Sequence, residues 1–227
     1  MSRIFTGSTT YLLASSVPAS LIAAPLSISA WVKLSQLAIA LQVVNIGVSG
    51  SLFNRFALRV DASGFASSQV SDASTTQATP STVAIADTTT WHLITAVFSA
   101  NNARASYLDG GNVGTSSNSK SPTIATTDIM RISAAPDGTT WHRGNAAYIA
   151  TWNIGLSAGD VANLFTTSPD QVQGANLVNY WGLLNNQSPE PDAGPAGVDM
   201  VVNGPPTFST DNPAINFGPI FMPWVRA

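Results

Sequence analysis

Carboxylic acids are the first residues to consider, because a retaining glycoside hydrolase needs two carboxyl groups about 5 Å apart. Glu190 is the only glutamate, and it lies in the Pro-rich stretch SPEPDAGPAG. We interpret the aspartates, such as Asp61, Asp87 and Asp128, as scattered singly along the chain. The sequence therefore predicts a protein that is not an enzyme.

The two histidines could serve as general bases in a Ser-His-Asp arrangement, which places a serine nucleophile beside an oriented imidazole. His92 and His142 each follow a tryptophan, and neither lies near a G-x-S-x-G nucleophile elbow. We expect His92 to point outward from a strand or to bond a backbone carbonyl. His142 lies in DGTTWHRG, which reads as a loop, so we take it as a candidate contact for a partner or glycan.

Tryptophan rings can stack on sugar rings, and the chain has six of them. Four lie in predicted strands and are expected to be core or partly buried residues, namely Trp31, Trp91, Trp152 and Trp181. Trp141 lies in the same loop as His142, and Trp224 lies near the C-terminus with Phe221. We predict partner or glycan contacts for Trp141, Phe221 and Trp224. The Pro-rich apolar tail, about residues 205–227, either packs back on its own domain or docks on a neighbouring subunit.

Composition excludes several classes of function. Only 9% of residues are charged, against roughly 25% in an average soluble protein. Clustered Lys and Arg, which a nucleic-acid binder needs, are not visible, so we predict no nucleic-acid partner. The absence of cysteine rules out disulfides and Cys-based zinc sites. The stretch VPASLIAAPLSISAW is too short and too Pro-broken to span a bilayer, and MSRIFTGSTTYLL does not resemble a signal peptide.

Alternating apolar residues predict many short strands. The clearest are 26–34, with Leu26 and Ile28 opposite Ser27 and Ser29, and 55–61, with Phe56 opposite the arginines. Further strands are predicted at 39–48, 91–98, 104–108, 128–133, 146–153, 177–183 and 198–203. The hydroxyl-rich stretch SSQVSDASTTQATPST reads as weak strands or a long loop.

Two local signals interrupt the strands. Asp109-Gly110 is a strong hairpin signal, because these residues tolerate the positive φ that a tight turn needs. In SAGDVANLFTT, Ser157 and Asp160 fit a helix-capping pattern, and Val161, Leu164 and Phe165 share one helical face. The sequence therefore predicts an all-β sandwich with one short helix.

Four segments together resemble laminin-G-like and concanavalin A-like domains: PLSISAWVK, WHLITAVFSANNARASYLDG, RISAAPDGTTWHRGNAAYIATWNIGLSAGDVANLF and NLVNYWGL. Their order covers roughly residues 1–203. The resemblance implies a jelly-roll β-sandwich of two curved antiparallel sheets, which we expect to form one domain over residues 1–227. It also makes calcium the best metal candidate, with Asp61, Asp109 and Asp137 as possible ligands at strand ends or turns. The other interpretation is that these three aspartates only shape turns, with no cofactor.

The fold alone leaves function open, since it serves many unrelated activities. Our first hypothesis is a non-catalytic virion protein, a phage capsid decoration or head-fibre protein assembled in the host cytoplasm. Its partners would be other copies of itself and capsid or fibre proteins, and host glycans are a further partner class. The alternative is an extracellular carbohydrate-binding module or adhesin.

Overall fold

The computed structural model describes residues 1–7, 9–184, 187–204 and 207–215. Within these ranges the chain forms fifteen strands and one short α-helix, which confirms the all-β prediction. The elements in chain order are β1 (Ser2–Phe5), β2 (Tyr11–Ala14), β3 (Leu26–Leu34), β4 (Leu41–Gly47), β5 (Arg55–Val60), β6 (Phe65–Ser71), β7 (Thr76–Ala84), β8 (His92–Ala100), β9 (Ala103–Leu108), β10 (Gly111–Ser116), β11 (Ile129–Ile132), β12 (Gly144–Trp152), α1 (Ala158–Leu164), β13 (Leu177–Trp181), β14 (Val201–Asn203) and β15 (Thr207–Ser209).

The strands form two antiparallel sheets that stack as a sandwich. The eight-stranded sheet has the order β10-β9-β8-β3-β12-β1-β15, and β13 also pairs with β12. The seven-stranded sheet has the order β14-β2-β11-β4-β5-β6-β7. Most neighbouring strands are distant in sequence, as when β11 pairs with β4, so the topology joins residues that local patterns cannot relate.

Alternation along each strand decides which side chains meet between the sheets. Ile28 and Val32 of β3 and Phe56 and Leu58 of β5 are fully or almost fully buried members of this main core. Because successive strand residues point to opposite faces, the intervening residues of β3 and β5 lie on the outer faces of the two sheets. Those outer faces differ sharply.

The outer face of the eight-stranded sheet is covered by α1 and the loops around it. Trp31, Trp152 and Leu93 of the sheet join Val161 and Leu164 of α1 in a second buried apolar cluster. The helix begins as predicted: the Ser157 hydroxyl accepts a hydrogen bond from the Asp160 amide, and the Asp160 carboxylate accepts one from the Ser157 amide. Within the described residues, no helix has the length and apolar composition that a membrane crossing needs.

The described part of the C-terminal segment packs on its own chain. β15 pairs with β1 at the edge of the eight-stranded sheet. Beyond it, the Asp211 carboxylate accepts hydrogen bonds from the Lys33 ammonium at 2.7 Å and the Trp91 indole at 3.0 Å. Ile215 then packs against the second apolar cluster. The segment therefore adds to the cover over this sheet.

Candidate functional site

The outer face of the seven-stranded sheet carries three arginines. Arg55 and Arg59 alternate with the core residues of β5, so they point away from the core. Arg131 lies on β11 directly opposite Asn45 of β4, and Asn45 lies opposite Ala57 of β5, so it shares the same face. We call this surface, with Gln42, Asn45, Ser67 and Gln69 between the arginines, the arginine face.

Arg55 is the centre of a buried polar network on the arginine face. Its two terminal nitrogens donate to Asn45 Oδ1 at 3.2 Å and Gln69 Oε1 at 2.6 Å. Burial, together with the neighbouring positive charge of Arg59, lowers the pKa of Arg55 to about 10. The guanidinium is therefore still charged at neutral pH, yet its direct partners are neutral amides.

A hairpin over residues 134–141 folds across one side of the arginine face. A bridge between Ala134 and Trp141 closes it, and its backbone carbonyls reach down to the sheet. The Ala134 carbonyl accepts from Asn45 Nδ2 at 2.9 Å, and the Ala135 carbonyl accepts from Arg131 Nη1 at 2.9 Å. The hairpin thus orients Asn45 and Arg131 and forms a wall along this side of the face. Gln42, Asn45, Ser67 and Gln69 are at most 5% exposed, whereas Arg59 and Arg131 are partly exposed.

The row Gln42–Arg59–Ser67 crosses three adjacent strands beside this wall, since Arg59 pairs with Gln42 of β4 and Ser67 of β6. Gln42 Oε1, Arg59 Nε and Ser67 Oγ are all buried without a hydrogen-bond partner among the described residues. The same holds for Nε of Arg55 and Arg131. Ser29, Ser68, Thr79, Thr95 and Arg104 have such atoms elsewhere. Buried polar atoms are normally paired, and those of the row lie side by side on adjacent strands, so the row is a candidate place where a polar ligand completes the bonding.

Trp141 lies at the base of the hairpin and lines a depression of about 220 Å³ with Ile39, Ala40, Thr139, Thr140, Gly7 and Arg143. The indole is half-buried, with its centroid 5.6 Å from the ring of Tyr11. Ala40 lies two residues before Gln42, so one edge of the Trp141 depression is within about 7 Å, along the backbone, of the Gln42 end of the polar row. An aromatic surface beside unpaired hydrogen-bonding groups suits a ligand with both apolar and hydroxyl faces.

His142 follows Trp141 but is fully buried, so its side chain is not on the surface where we expected a contact. The backbone amide of His142 donates to the Ser133 carbonyl, and its ring packs at 66° and 5.9 Å against Phe5. Burial lowers the pKa of His142 to about 4. The loop pattern failed here because the bridge at Trp141 continues the strand geometry and turns the next side chain inward.

The calcium candidates Asp61 and Asp137 both use their carboxylates inside their own turns. Asp61 Oδ1 accepts from the amides of Ser63 and Phe65, and Asp137 Oδ1 accepts from the amide of Thr139 at 3.1 Å. Each also lies close enough to an arginine of the arginine face to influence its pKa. Neighbouring guanidinium groups disfavour a divalent cation at these positions.

Asp109 combines a turn with a contact to His92. Asp109 has φ +54° and Gly110 has φ +74°, which confirms the predicted turn between β9 and β10. Its carboxylate accepts from the Leu93 amide at 3.0 Å and lies 2.9 Å from His92 Nδ1. The hydrogen bond with Asp109 raises the pKa of His92. We expected His92 to point outward or to bond a backbone carbonyl; its ring is partly exposed, and its Nδ1 partner is the Asp109 carboxylate instead of a carbonyl. No group of three His, Cys, Asp or Glu residues that could hold a metal occurs among the described residues.

Glu190 and Asp192 are two residues apart, so the interpretation of the acids as scattered singly was wrong at this point. Both carboxylates are committed to structure. Glu190 is almost fully buried, pairs with Arg3 at 2.8 Å and accepts from the Leu183 amide. Asp192 accepts hydrogen bonds from Asn179 and from the amides of Tyr180 and Gly194. Neither carboxylate is free to act on a substrate in this arrangement.

Phe221 and Trp224 lie outside the described residues. The residues that sequence reasoning missed are those of the polar row. The alternation of Arg55 and Arg59 with core residues was visible, but it was read only as evidence for a strand. Their approach to Gln42, Ser67 and Arg131 depends on the sheet order.

Comparison with known proteins identifies the architecture. The model of the concanavalin A-like lectin/glucanases superfamily matches residues 6–162. No curated protein matches the sequence.

Solved structures share the fold at low identity. A native heptameric SAP-like pentraxin from Limulus polyphemus has a TM-score of 0.58 at 16% identity, covering 73% of this chain and 81% of its own. The CBM40 of the Ruminococcus gnavus IT-sialidase has a TM-score of 0.57 at 15% identity, covering 72% and 96%. Domain 4 of the Geobacillus stearothermophilus arabinanase AbnA, in complex with arabinotriose, has a TM-score of 0.53 at 14% identity, covering 66% and 71%.

Proposed function

Because the chain belongs to the concanavalin A-like lectin/glucanases superfamily, we propose that it is a non-catalytic saccharide-binding protein whose ligand occupies the arginine face. The observation that carries this proposal is the row of buried, unpartnered polar atoms on Gln42, Arg59 and Ser67. Leaving such groups without partners costs roughly 1 to 3 kcal/mol each, which a bound hydroxyl-rich ligand would offset.

Two further features favour a saccharide over other polar ligands. The Trp141 depression contains an aromatic ring and reaches Ala40, two residues from Gln42, and sugars present both hydroxyls and apolar C–H faces. Two structural neighbours were solved with oligosaccharides: the R. gnavus CBM40 with sialyllactose and the AbnA domain with arabinotriose. These similarities support a saccharide as the class of ligand. The position of the proposed site is inferred from the geometry of this chain alone.

We propose a non-catalytic function because the carboxylates that could act in hydrolysis are held in structural contacts. The paired acids Glu190 and Asp192 are held by Arg3 and by backbone amides. On the arginine face, the described carboxylates nearest the arginines, Asp61 and Asp137, accept bonds within their turns. Two-carboxylate hydrolysis needs both groups at the scissile bond.

Adjacent serines of β6 provide a matched test. Ser67 Oγ faces the arginine face, whereas Ser68 lies on the opposite side of the strand, where its amide bonds Ser106 in the interior. Both hydroxyls are buried and unpartnered. The full chain is first screened on a broad glycan array, and the affinity for a bound glycan is then measured by calorimetry.

We expect Ser67→Ala to weaken binding about threefold to tenfold, the size of one hydrogen bond, and Ser68→Ala to leave it unchanged. Trp141→Ala is expected to weaken binding further, whereas Trp91→Phe on the other sheet leaves it unchanged. Silence across the array, or equal losses in the two serine variants, would contradict the proposal.

The capsid-decoration or head-fibre role, the partners on a particle and the virion location stay predictions from the sequence. They are compatible with saccharide binding, because a particle-borne domain can also bind host glycans. The mass of the protein in solution and its association with particles test them directly.

A further inference from the structure

Positive charge is concentrated on the arginine face of an otherwise acidic protein. The chain has nine Lys and Arg residues and a net charge of −3. Three of the nine lie on this face. Elsewhere, Arg3, Lys33 and Lys120 each form a salt bridge, with Glu190, Asp211 and Asp72 respectively.

None of the three arginines on the face has a salt bridge within the described residues. Arg104 and Arg143 elsewhere also lack one, but their guanidinium groups donate to the Asn118 carbonyl and to Gln36. The carboxylates whose charge reaches them, Asp61 near Arg59 and Asp137 near Arg55, accept hydrogen bonds within their own turns. Three arginines against these two carboxylates leave the face with a net positive charge, which attracts anionic ligands.

Arg59 is the arginine whose guanidinium remains available. Arg55 is 3% exposed, and its terminal nitrogens are occupied by Asn45 and Gln69. Arg131 donates to the Ala135 carbonyl, and its guanidinium lies 5.1 Å from the centre of the Tyr11 ring. The guanidinium of Arg59 has no hydrogen-bond acceptor among the described residues, and its side chain is partly exposed although its Nε is buried.

The residues beside Arg59 indicate which kind of molecule would carry an anionic group that Arg59 binds. Gln42 and Ser67 lie on the adjacent strands at the same register position, each with an unpartnered oxygen. An amide and a hydroxyl on either side of a guanidinium match a carboxylate carried on a ring with hydroxyl groups. The planar fork of arginine binds a carboxylate through two parallel hydrogen bonds.

We propose, on the basis of the saccharide-binding function above, that the ligand is an acidic saccharide and that Arg59 binds its carboxylate. Gln42 and Ser67 bind ring hydroxyls beside it, and Arg55 and Arg131 add positive potential from fixed positions. Arg59 is then the residue that determines specificity between acidic and neutral sugars.

The test uses pairs of glycans that differ in the carboxylate: an oligogalacturonate with its methyl ester, and sialyllactose with lactose. Sulfated galactose is the comparison for anions of another chemistry. Affinities are measured by calorimetry on the full chain. We expect the acidic member of at least one pair to bind about tenfold or more tightly than its neutral partner, the size of a charged hydrogen bond.

Arg59→Gln should remove most of that difference, because it weakens binding of the acidic member of the pair much more than binding of its neutral partner. Lys33→Gln makes the same change of charge on the other sheet and should preserve the difference. Raising the salt concentration from about 50 to about 500 mM should weaken binding of the acidic glycan more than that of the neutral one.

The outcomes separate the two proposals. If neutral glycans bind as tightly as acidic ones, and Arg59→Gln weakens both equally, saccharide binding stands and the acidic assignment fails. Tighter binding of sulfated galactose than of either carboxylated glycan also overturns the carboxylate assignment. If no glycan binds, the proposed function itself fails.

Discussion

The two outer faces of the sandwich arise from the same alternation of side chains along the strands, but one is covered by apolar packing and the other carries arginines. On the eight-stranded sheet, α1 and the segment through Ile215 cover the apolar side chains, and Lys33 is paired with Asp211. The hydroxyls of Ser29 and Thr95 lack partners there, as the hydroxyl of Ser67 does on the arginine face. On the seven-stranded sheet, the three arginines of the arginine face form no ion pair within the described residues, and Arg59 is partly exposed.

This difference separates residues that stabilise the fold from residues that carry a function. Covering apolar area contributes about 25 cal/mol per Å² to stability, so the helix-covered face contributes through burial. Unpaired polar atoms contribute nothing to stability and cost desolvation. On the arginine face such atoms occur on neighbouring strands, at Gln42, Arg59 and Ser67, and they lie beside a guanidinium without an ion pair, which is the pattern expected of a binding surface.

The largest expected effect is on the covered face, where Trp152 is fully buried and its indole donates to the Val172 carbonyl at 2.9 Å. Trp152→Ala should lower the free energy of unfolding by about 3 to 5 kcal/mol, because it leaves a cavity and an unpaired carbonyl. Denaturant unfolding measures this loss. Glycan affinity, measured well below the melting temperature, should stay at the wild-type value.

Ser67→Ala provides the opposite control, because its unpartnered hydroxyl contributes little to folding while the proposal gives it a role in binding. The comparison breaks down if Trp152→Ala abolishes binding in protein that is still folded. It breaks down equally if Ser67→Ala destabilises the fold as strongly as the tryptophan variant.

The next-largest expected effect is on the pH dependence of the free energy of unfolding. It involves the two histidines, one near each face. His142, beside the hairpin, has a pKa lowered to about 4 by burial, below its unfolded value of 6.5. The unfolded chain therefore takes up a proton first as the pH falls. Stability from this group is complete above pH 6.5 and is lost between pH 6.5 and 4, by about 3 kcal/mol in all.

His142→Gln should remove this part of the pH dependence, whatever its stability at pH 7. The measurement is denaturant unfolding at intervals between pH 7.5 and pH 4. His92 has the opposite sign, because Asp109 raises its pKa: its contribution is present at low pH and is lost as the pH rises through the folded value. A variant with the same pH slope as wild type would show that His142 is not buried in its neutral form.

The covered face was largely predictable from sequence, and the arginine face was not. β3 was predicted with its observed bounds, because Leu26 and Ile28 alternate with Ser27 and Ser29 over nine residues. The capped start of α1 was also visible, since capping depends on residues three apart. Both features are local.

Failures came where distant segments decide the structure. β6 and β7 were ambiguous because hydroxyl residues have no apolar alternation, and pairing with β5 makes them strands. Arg131 joins Arg55 and Arg59 only because β11 pairs with β4, about eighty residues away in sequence. His142 was assigned to a loop, since nothing local indicates that Phe5 packs against it.

The smallest expected effect is at Asp137, which distinguishes an anion-binding face from a calcium site. Asp137→Asn keeps an oxygen that can accept from the Thr139 amide, so we expect a change in unfolding free energy below about 0.5 kcal/mol. About 10 mM calcium should leave the melting temperature unchanged in both proteins. Removing this carboxylate near Arg55 should also strengthen binding of an acidic glycan slightly, because the face becomes more positive.

A calcium-dependent rise in melting temperature that Asp137→Asn abolishes would instead identify the hairpin as a cation site. The three arginines could then no longer be interpreted as a surface for anions, since a bound divalent cation and an anionic ligand place opposite demands on the same potential.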